Sequence, residues 1–186
     1  MFMQFKTGTI FFSPSDLITF MESGFASHME RCRLEDRSQS DLMDPEDVML
    51  KNLQKKGYAH EDAFLASLIA GGTNVAEIER ADSDVMLAKT REAMAAGAEV
   101  IAQAYLRLDN FGGMADFLVK VPGKSRLGDY HYEVWDTKLS KKMKPYFAIQ
   151  LCCYAEMLES EQGVRPEKVA LVLGNKETTH LRVQDY

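Results

Sequence analysis

Two carboxylates and one ammonium group lie close together in the sequence between residues 112 and 154. Asp116 follows Gly112-Gly113 at the start of an alternating apolar segment, and the next such segment carries Asp136 and Lys138. Side chains two positions apart on a strand project from the same face, so Asp136 and Lys138 share a face. Carboxylate oxygens are the ligands that Mg²⁺ prefers, and a nearby cation can stabilise charge that develops on a phosphate. Metal-assisted hydrolysis of a phosphodiester needs this set of groups.

Each of these residues also has an ordinary structural interpretation. Asp-x-Lys occurs by chance in many sequences, and Asp136 with Lys138 could form a plain ion pair. Asp116, coming after two glycines, is also typical of an aspartate that caps a turn. We nevertheless expect Asp116 and Asp136 to converge, because their two segments should pair as a hairpin. The backbone carbonyl of Thr137, next to Asp136, is a further candidate ligand.

His60 and Glu61 are the candidates for an additional ligand. Glu61 shares a helical stripe with Phe64, Leu65 and Leu68, and His60 stacks over Phe64, so both polar residues border a buried face. A histidine in that place is more often a hydrogen-bonded core residue than a ligand. Because an acidic cluster exists elsewhere in the chain, an imidazole that completes a magnesium or manganese site becomes credible. The sequence does not separate the two residues, and we favour His60.

The segment that follows Lys138 carries candidate substrate contacts. Gln150 and Tyr154 lie one helical turn apart and share a face, so they form either a hydrogen-bonded core pair or a pair that touches the metal-bound water or a substrate phosphate. Lys141 and Lys142 belong to a lysine cluster that also includes Lys144. Charge runs are usually solvated surface, but this cluster stands directly after the Asp-x-Lys and is a candidate for binding DNA phosphates.

The hydrophobic pattern predicts an α/β (α+β) chain that forms a single domain over residues 1–186. The helical part covers about residues 14–97, and a sheet core that carries the candidate site covers about residues 98–186. We expect helices from Ser15 or Asp16, from Pro45 to about Ala70, over 82–96, and from Pro145 to about Glu161. We expect strands over 8–12, 100–108, 114–121, 130–139, 169–174 and 179–183, and a mixed sheet of four or five strands.

Composition and charge limit the class of protein. Apolar residues make up 46% and charged residues 27% of the 186 residues, which is typical of a globular domain. No apolar run reaches the roughly 20 residues of a membrane span and no secretory signal is evident, so we expect a cytoplasmic protein that makes no membrane contact. A net charge of −6 gives no general attraction for nucleic acid, so cations must be concentrated locally. The end at residues 184–186 is compatible with a segment of a longer protein.

Taken together, these motifs resemble the RecB-like nucleases of the PD-(D/E)xK superfamily, in the branch often joined to a helicase. The resemblance covers nearly the whole chain, and its pieces are weak alone but fairly specific in their order and spacing. They are Ser13-Pro14-Ser15-Asp16-Leu17, residues 57–65, Gly113-Met114-Ala115-Asp116-Phe117, Val134-Trp135-Asp136-Thr137-Lys138-Leu139 and residues 150–163.

The resemblance implies a restriction-endonuclease-like core and a metal-dependent deoxyribonuclease that acts in DNA repair, recombination or defence. It implies that His60, Asp116 and Asp136 hold Mg²⁺ or Mn²⁺, and that Lys138 orients or helps to deprotonate the attacking water. Gln150 and Tyr154 would border the site and contact DNA. DNA is the implied partner, together with a helicase domain or subunit.

Cysteines mark a departure from this resemblance. Relatives often bind an iron–sulfur cluster through a cysteine near the first helix and a cysteine cluster near the end of the domain. Ser23 occupies the first position here, and no cysteine follows Cys153. We therefore expect no iron–sulfur cluster in this chain, although Cys32 could serve if further cysteines lay beyond Tyr186.

Two other functions compete with the nuclease. One is a DNA-binding domain that keeps the nuclease fold without catalysis; it is disfavoured because such domains usually lose the lysine or an acid. The other is an unrelated α+β domain whose carboxylates form structural ion pairs, which would have no metal affinity. Metal-dependent cleavage distinguishes the nuclease from the DNA-binding domain.

Overall fold

A computed structural model of the chain describes residues 3–6, 8–36, 38 and 47–186. Within these residues there are five α-helices and eight β-strands. The helices are α1 Pro14–Glu22, α2 Gly24–Glu35, α3 Val48–Ala70, α4 Ser83–Ala96 and α5 Pro145–Gln162. The strands are β1 Gln4–Lys6, β2 Thr9–Phe11, β3 Val75–Glu77, β4 Val100–Leu108, β5 Phe111–Ser125, β6 Gly128–Lys138, β7 Lys168–Leu173 and β8 Thr178–Arg182.

A mixed sheet organises the fold. In the described part of the chain it has six strands in the order β3-β4-β5-β6-β7-β8, and β1 pairs with β2 in a separate hairpin. β4, β5 and β6 form an antiparallel meander. β3 is parallel to β4 through α4, and β7 is parallel to β6 through α5, as expected when a helix connects two strands of a sheet. The central position of β5 and β6 puts Asp116 and Asp136 on neighbouring strands, as the sequence predicted.

The two faces of this sheet are covered by different helices. Ile101 packs in the larger core with α4 and α5, for example with Met94 and Leu151. Val100 and Ala102, which alternate with Ile101, pack instead against Phe64 and other apolar residues of α3. Because side chains of a strand alternate between faces, α3 and α5 lie on opposite sides of the sheet. The sheet is therefore sandwiched between helices, and its central strands are buried.

The start of α1 ties the N-terminal hairpin to the sheet. The buried Asp16 carboxylate accepts hydrogen bonds from the backbone N–H and hydroxyl of Ser13 at 2.8 and 2.6 Å, and from the backbone N–H of Met3 at 3.0 Å. Ser13, rather than Ser15 or Asp16, is thus the cap, since Pro14 occupies the first helical turn. Phe12 pairs with the β4–β5 turn through Asn110 and Gly112.

Most of the predicted elements are confirmed, with several differences. The sheet has six described strands rather than four or five because β3, only three residues long, carries no readable alternation. β1 was missed for the same reason. Pro45 lies outside the described residues, and α3 begins at Val48 after Asp47, whose carboxylate caps the backbone N–H of Met49 at 2.7 Å. Among the described helices, none has both the length and the apolar character needed to cross a bilayer.

Candidate active site at the parting of two strands

The candidate site lies where β5 and β6 separate. Their backbone pairing runs regularly from Val121 and His131 to Phe117 and Trp135, and does not extend to Asp116. Beyond that point β5 continues to pair with β4, and β6 continues to pair with β7. The gap leaves room for side chains between β5 and β6, while β4 and β7 continue to hold the two strands in the sheet.

Asp116 takes over the hydrogen bonding that the separated strands lose. Its Oδ2 accepts the backbone N–H of Thr137 at 2.8 Å and the Thr137 hydroxyl at 2.9 Å. Charge-assisted hydrogen bonds of this kind fix the orientation of a carboxylate. Asp116 is therefore held against the residue that directly follows Asp136. The backbone N–H and the hydroxyl of Thr137 therefore both point to Asp116. These contacts do not involve the Thr137 carbonyl, which stays a predicted metal ligand.

Asp136 and Lys138 form a buried ion pair. Oδ2 of Asp136 lies 2.7 Å from Nζ of Lys138, and the Asp136 residue is only 4% exposed. The same oxygen is buried and accepts no well-directed hydrogen bond. Burial raises the pKa of Asp136 above its ordinary value, and the negative charge of Asp116 raises it further, while Lys138 lowers it. The site thus holds more negative charge than its one neighbouring ammonium compensates.

Lys138 remains a cation in this environment. Burial by itself lowers its pKa, but the charges of Asp136, Asp116 and Glu61 outweigh burial, so that the pKa of Lys138 is raised. A lysine with a raised pKa keeps its proton at neutral pH. Lys138 is therefore suited to hold negative charge on a substrate.

Glu61, and not His60, lies in the cavity at this site. Burial and the charge of Asp116 raise the pKa of Glu61 to about 7, and the carboxylate accepts a hydrogen bond from the side chain of Gln103. His60 is half-buried beside it on α3, and its buried Nε2 has no hydrogen-bond partner among the described residues. Consecutive residues of a helix point about 100° apart, so only one of the two can face the carboxylates. The structure brings Glu61 to Asp116 and does not bring His60 there.

These residues line one open cavity of about 770 Å³. Its walls come from α3, the loop after β3, the three central strands, the loop after β6, and α5. The residues that line it include Tyr58, Glu61, Arg80, Gln103, Asp116, Asp136, Thr137, Lys138, Ser140, Lys144, Tyr146, Gln150 and Tyr154. Positive and aromatic side chains therefore stand around a carboxylate centre.

The predicted contact residues divide into two groups. Gln150 and Tyr154 both line the cavity, and the buried Tyr154 hydroxyl donates to the carbonyl of Met114 at 2.7 Å. Burial raises the pKa of Tyr154 well above its ordinary value, so it remains a neutral donor. Lys141 and Lys142 are exposed on the loop between β6 and α5 and are not among the residues that line the cavity.

The carboxylate oxygens of Asp116 and Asp136 are of the kind that a hard divalent cation binds. In the described part of the chain, no group of three or more His, Cys, Asp and Glu side chains is close enough to hold a metal ion. Mg²⁺ keeps several waters, however, and takes one or two protein carboxylates with substrate phosphate. Asp116 and Asp136 supply two such carboxylates, and Oδ2 of Asp136, which already pairs with the ammonium of Lys138 at 2.7 Å, is an oxygen that attracts cations.

The cysteines stand apart from this site. Cys32 lies on α2 with its Sγ 3.4 Å from Nε2 of His28, and Cys152 and Cys153 lie on α5. All three are free thiols. Burial raises the pKa of the Cys153 thiol to about 11, which keeps it protonated and unreactive at neutral pH.

A comparison with known proteins found no protein-family model and no curated protein that matches this chain.

Sequence reasoning missed several residues that line the cavity, among them Gln103, Arg80 and Tyr58. Gln103 is the clearest, because it is a single amide between Ala102 and Ala104 in an apolar strand, and that break in the pattern could have marked it. Arg80 and Tyr58 carried no comparable signal, since an exposed arginine in a loop and an exposed tyrosine on a helix are ordinary surface residues.

Proposed function

We propose that this chain is a metal-dependent deoxyribonuclease that hydrolyses DNA phosphodiester bonds. One observation carries the proposal: Asp116, Asp136 and Lys138 come together where β5 and β6 separate, on the wall of an open cavity. Proteins rarely bury an aspartate in this way without a compensating partner, and one lysine does not compensate the surrounding carboxylates. The same three residues carry the resemblance to the RecB-like nucleases.

Asp116 and Asp136 would hold a Mg²⁺ or Mn²⁺ ion, and the Glu61 carboxylate would add negative charge on the wall of the cavity. When bound, such an ion stabilises charge on the phosphoryl oxygens and lowers the pKa of water. Burial raises the pKa values of Asp136 and Glu61, and the charge of Asp116 raises them further, so a bound cation would favour the ionised form of both.

The other residues of the cavity have separate roles in this proposal. Lys138, which keeps its proton, stabilises negative charge on the reacting phosphate. Tyr154 fixes β5 next to Asp116 through its hydrogen bond to Met114. Lys144 and Arg80, on the cavity wall, would bind phosphates on either side of the cleaved bond, and Lys141 and Lys142 would bind DNA further out.

A cleavage assay tests this proposal. Single- and double-stranded DNA labelled at the 5′ or 3′ end is incubated with the protein in Mg²⁺, in Mn²⁺, or in a chelator. We expect cleavage with either metal and none with the chelator, and the pattern of labelled products reports polarity and strand preference. DNA binding without cleavage in any metal would favour a non-catalytic DNA-binding domain, and neither binding nor cleavage would favour a structural role for the ion pair.

A further inference from the structure

Gln103 has an unusual backbone conformation for a strand residue. It lies inside β4, yet its φ of 54° is in the left-handed region that residues with a Cβ atom avoid. Its neighbours Ala102 and Ala104 pair normally with Phe117 and Ala115, so that only Gln103 drops out of register opposite Asp116. Strain of this kind in the middle of an otherwise regular strand persists only where the surrounding structure enforces it.

The distorted backbone directs the Gln103 side chain to the candidate site. Its Nε2 donates a hydrogen bond to Oε1 of Glu61 on α3, and both residues line the cavity with Asp116. Burial raises the pKa of Glu61, and repulsion by the nearby charge of Asp116 raises it further. Without a donor, a glutamate on a helix surface would turn toward water to reduce that repulsion.

An amide is suited to this position because it is neutral. It can hold the Glu61 carboxylate without cancelling its charge, whereas a lysine there would form an ion pair and compete with a bound cation. Partners that orient metal ligands by hydrogen bonds commonly affect metal affinity.

We propose that Gln103 is a positioning residue that holds the Glu61 carboxylate in the cavity beside Asp116, where its charge strengthens the attraction of the Asp116 and Asp136 pair for a divalent cation. The proposal rests on the proposed metal-dependent function. It assigns a purpose to the strained backbone of β4, which the fold itself does not require.

The test is calorimetric titration of the purified protein with Mn²⁺ alone, together with thermal unfolding. Gln103→Gly removes the amide and relieves the positive φ, so we expect the Tm to stay the same or rise while Mn²⁺ affinity falls at least fivefold. Gln103→Asn tolerates the left-handed region but is shorter, and should show the same loss of affinity. Lys176→Gly is the matched control, because Lys176 also has a positive φ (67°) but is exposed in the β7–β8 turn away from the cavity. It should leave affinity unchanged.

A double-mutant cycle shows whether Gln103 affects Mn²⁺ affinity through Glu61 or independently of Glu61. If Gln103 acts through Glu61, Gln103→Gly should lower affinity in the wild-type background and have no further effect in Glu61→Gln. Equal Mn²⁺ affinity of wild type and Gln103→Gly, or an undiminished loss in the Glu61→Gln background, would overturn the inference while leaving the nuclease proposal intact. A wild-type protein that binds no Mn²⁺ would overturn both.

Discussion

Asp136 is the residue on which the proposed chemistry depends. It is nearly fully buried, carries an ion pair to Lys138 on one oxygen, and stands next to the oriented carboxylate of Asp116. Removing one partner of a buried pair leaves an uncompensated charge, which is costly to stability. An additional cation at the site would relieve that cost. Stability and metal binding should therefore be coupled at this residue.

Glu61 and His60 give the first prediction. Glu61→Gln should lower Mn²⁺ affinity by about tenfold or more, because it removes one charge that faces the cation, a change of roughly 1.4 kcal/mol. His60→Gln, the adjacent control on α3, should bind Mn²⁺ as the wild type does. Calorimetric titration of the two variants checks this. A loss confined to His60→Gln would restore the histidine as the ligand.

The residues of the site were predictable to different degrees. Asp116, Asp136 and Lys138 could be found because strand periodicity places a charged pair on one face and a hairpin brings the third residue near. The choice between His60 and Glu61 depends on how α3 is rotated about its own axis. The apolar stripe in the sequence defines that rotation only to within about one residue, which is 100°. Gln103 faces the site through an irregular backbone, and no periodic pattern predicts such an irregularity.

At the scale of elements, the contact between α5 and β5 supports the site. Tyr154 packs on Gly113, where an added Cβ would lie 2.9 Å from the Tyr154 hydroxyl and 3.1 Å from Cδ of Pro14. An added Cβ would therefore force the Tyr154 ring or Pro14 to shift. Gly113, which lies inside β5 and pairs with Leu106 of β4, is thus a packing requirement of the strand.

Gly113→Ala is the second prediction. Overpacking of this contact should destabilise the fold by about 1–3 kcal/mol, measured by urea denaturation. Gly57→Ala on α3 is the matched control: an added Cβ there meets nothing within 4 Å, and alanine favours a helix, so stability should rise by about 0.5–1 kcal/mol. Two changes in the same direction would contradict the packing described for α5.

Most of the longer elements followed from the sequence, although the 12-residue helix α2 did not, and of the three-residue strands β2 was predicted while β1 and β3 were not. β4 to β8 and α3 to α5 have enough residues for their period to be readable. β1 and β3 have three residues each, and their pairing depends on the partner strand rather than on their own pattern. The separation of β5 from β6, which creates the site, is likewise a tertiary feature.

At the scale of the whole molecule, the distribution of charge is unequal. The chain carries a net charge of −6, yet exposed lysines follow β6 next to the cavity. A local positive patch can bind phosphates even when the net field is repulsive, and its effect is reduced by salt. Affinity for DNA should therefore depend strongly on ionic strength.

Lys141 and Lys142 provide the third prediction. Lys141→Ala and Lys142→Ala should each weaken DNA binding several-fold at low salt, and the losses should shrink as salt is raised, with the salt slope smaller by about one charge for each lysine. Fluorescence anisotropy with labelled DNA in the absence of metal measures this. Lys176→Ala, in the exposed β7–β8 turn, is the control and should bind as the wild type does. Salt-independent losses would argue against phosphate contacts.

The pH dependence of folding is the fourth prediction. The pKa values of Glu61 and Asp136 are raised in the folded, metal-free protein, so this state binds more protons than the unfolded chain above the ordinary carboxyl range. The contribution of Glu61 to stability is present below pH 4.5 and is lost as the pH rises through about 7, and that of Asp136 is present below pH 3.8 and is lost as the pH rises through about 8. Urea denaturation of the metal-free protein at several pH values should show this decline.

Asp136→Asn is the variant that checks the origin of this decline. A neutral amide cannot lose a proton, so the stability of Asp136→Asn should decline less with rising pH than that of the wild type. An unchanged slope would show that other groups control the pH dependence.

Single-turnover cleavage by Lys138→Ala tests the central claim most directly. With enzyme and Mg²⁺ saturating, Lys138→Ala should cleave DNA on the order of a hundredfold or more slowly than the wild type, because the cation that stabilises the reacting phosphate is gone. Lys141→Ala, three residues along the chain but exposed, should cleave at the wild-type rate once the enzyme saturates the DNA. Tm and Mn²⁺ affinity of both variants show that they remain folded and bind metal. Cleavage by Lys138→Ala at the wild-type rate would contradict the proposed nuclease mechanism.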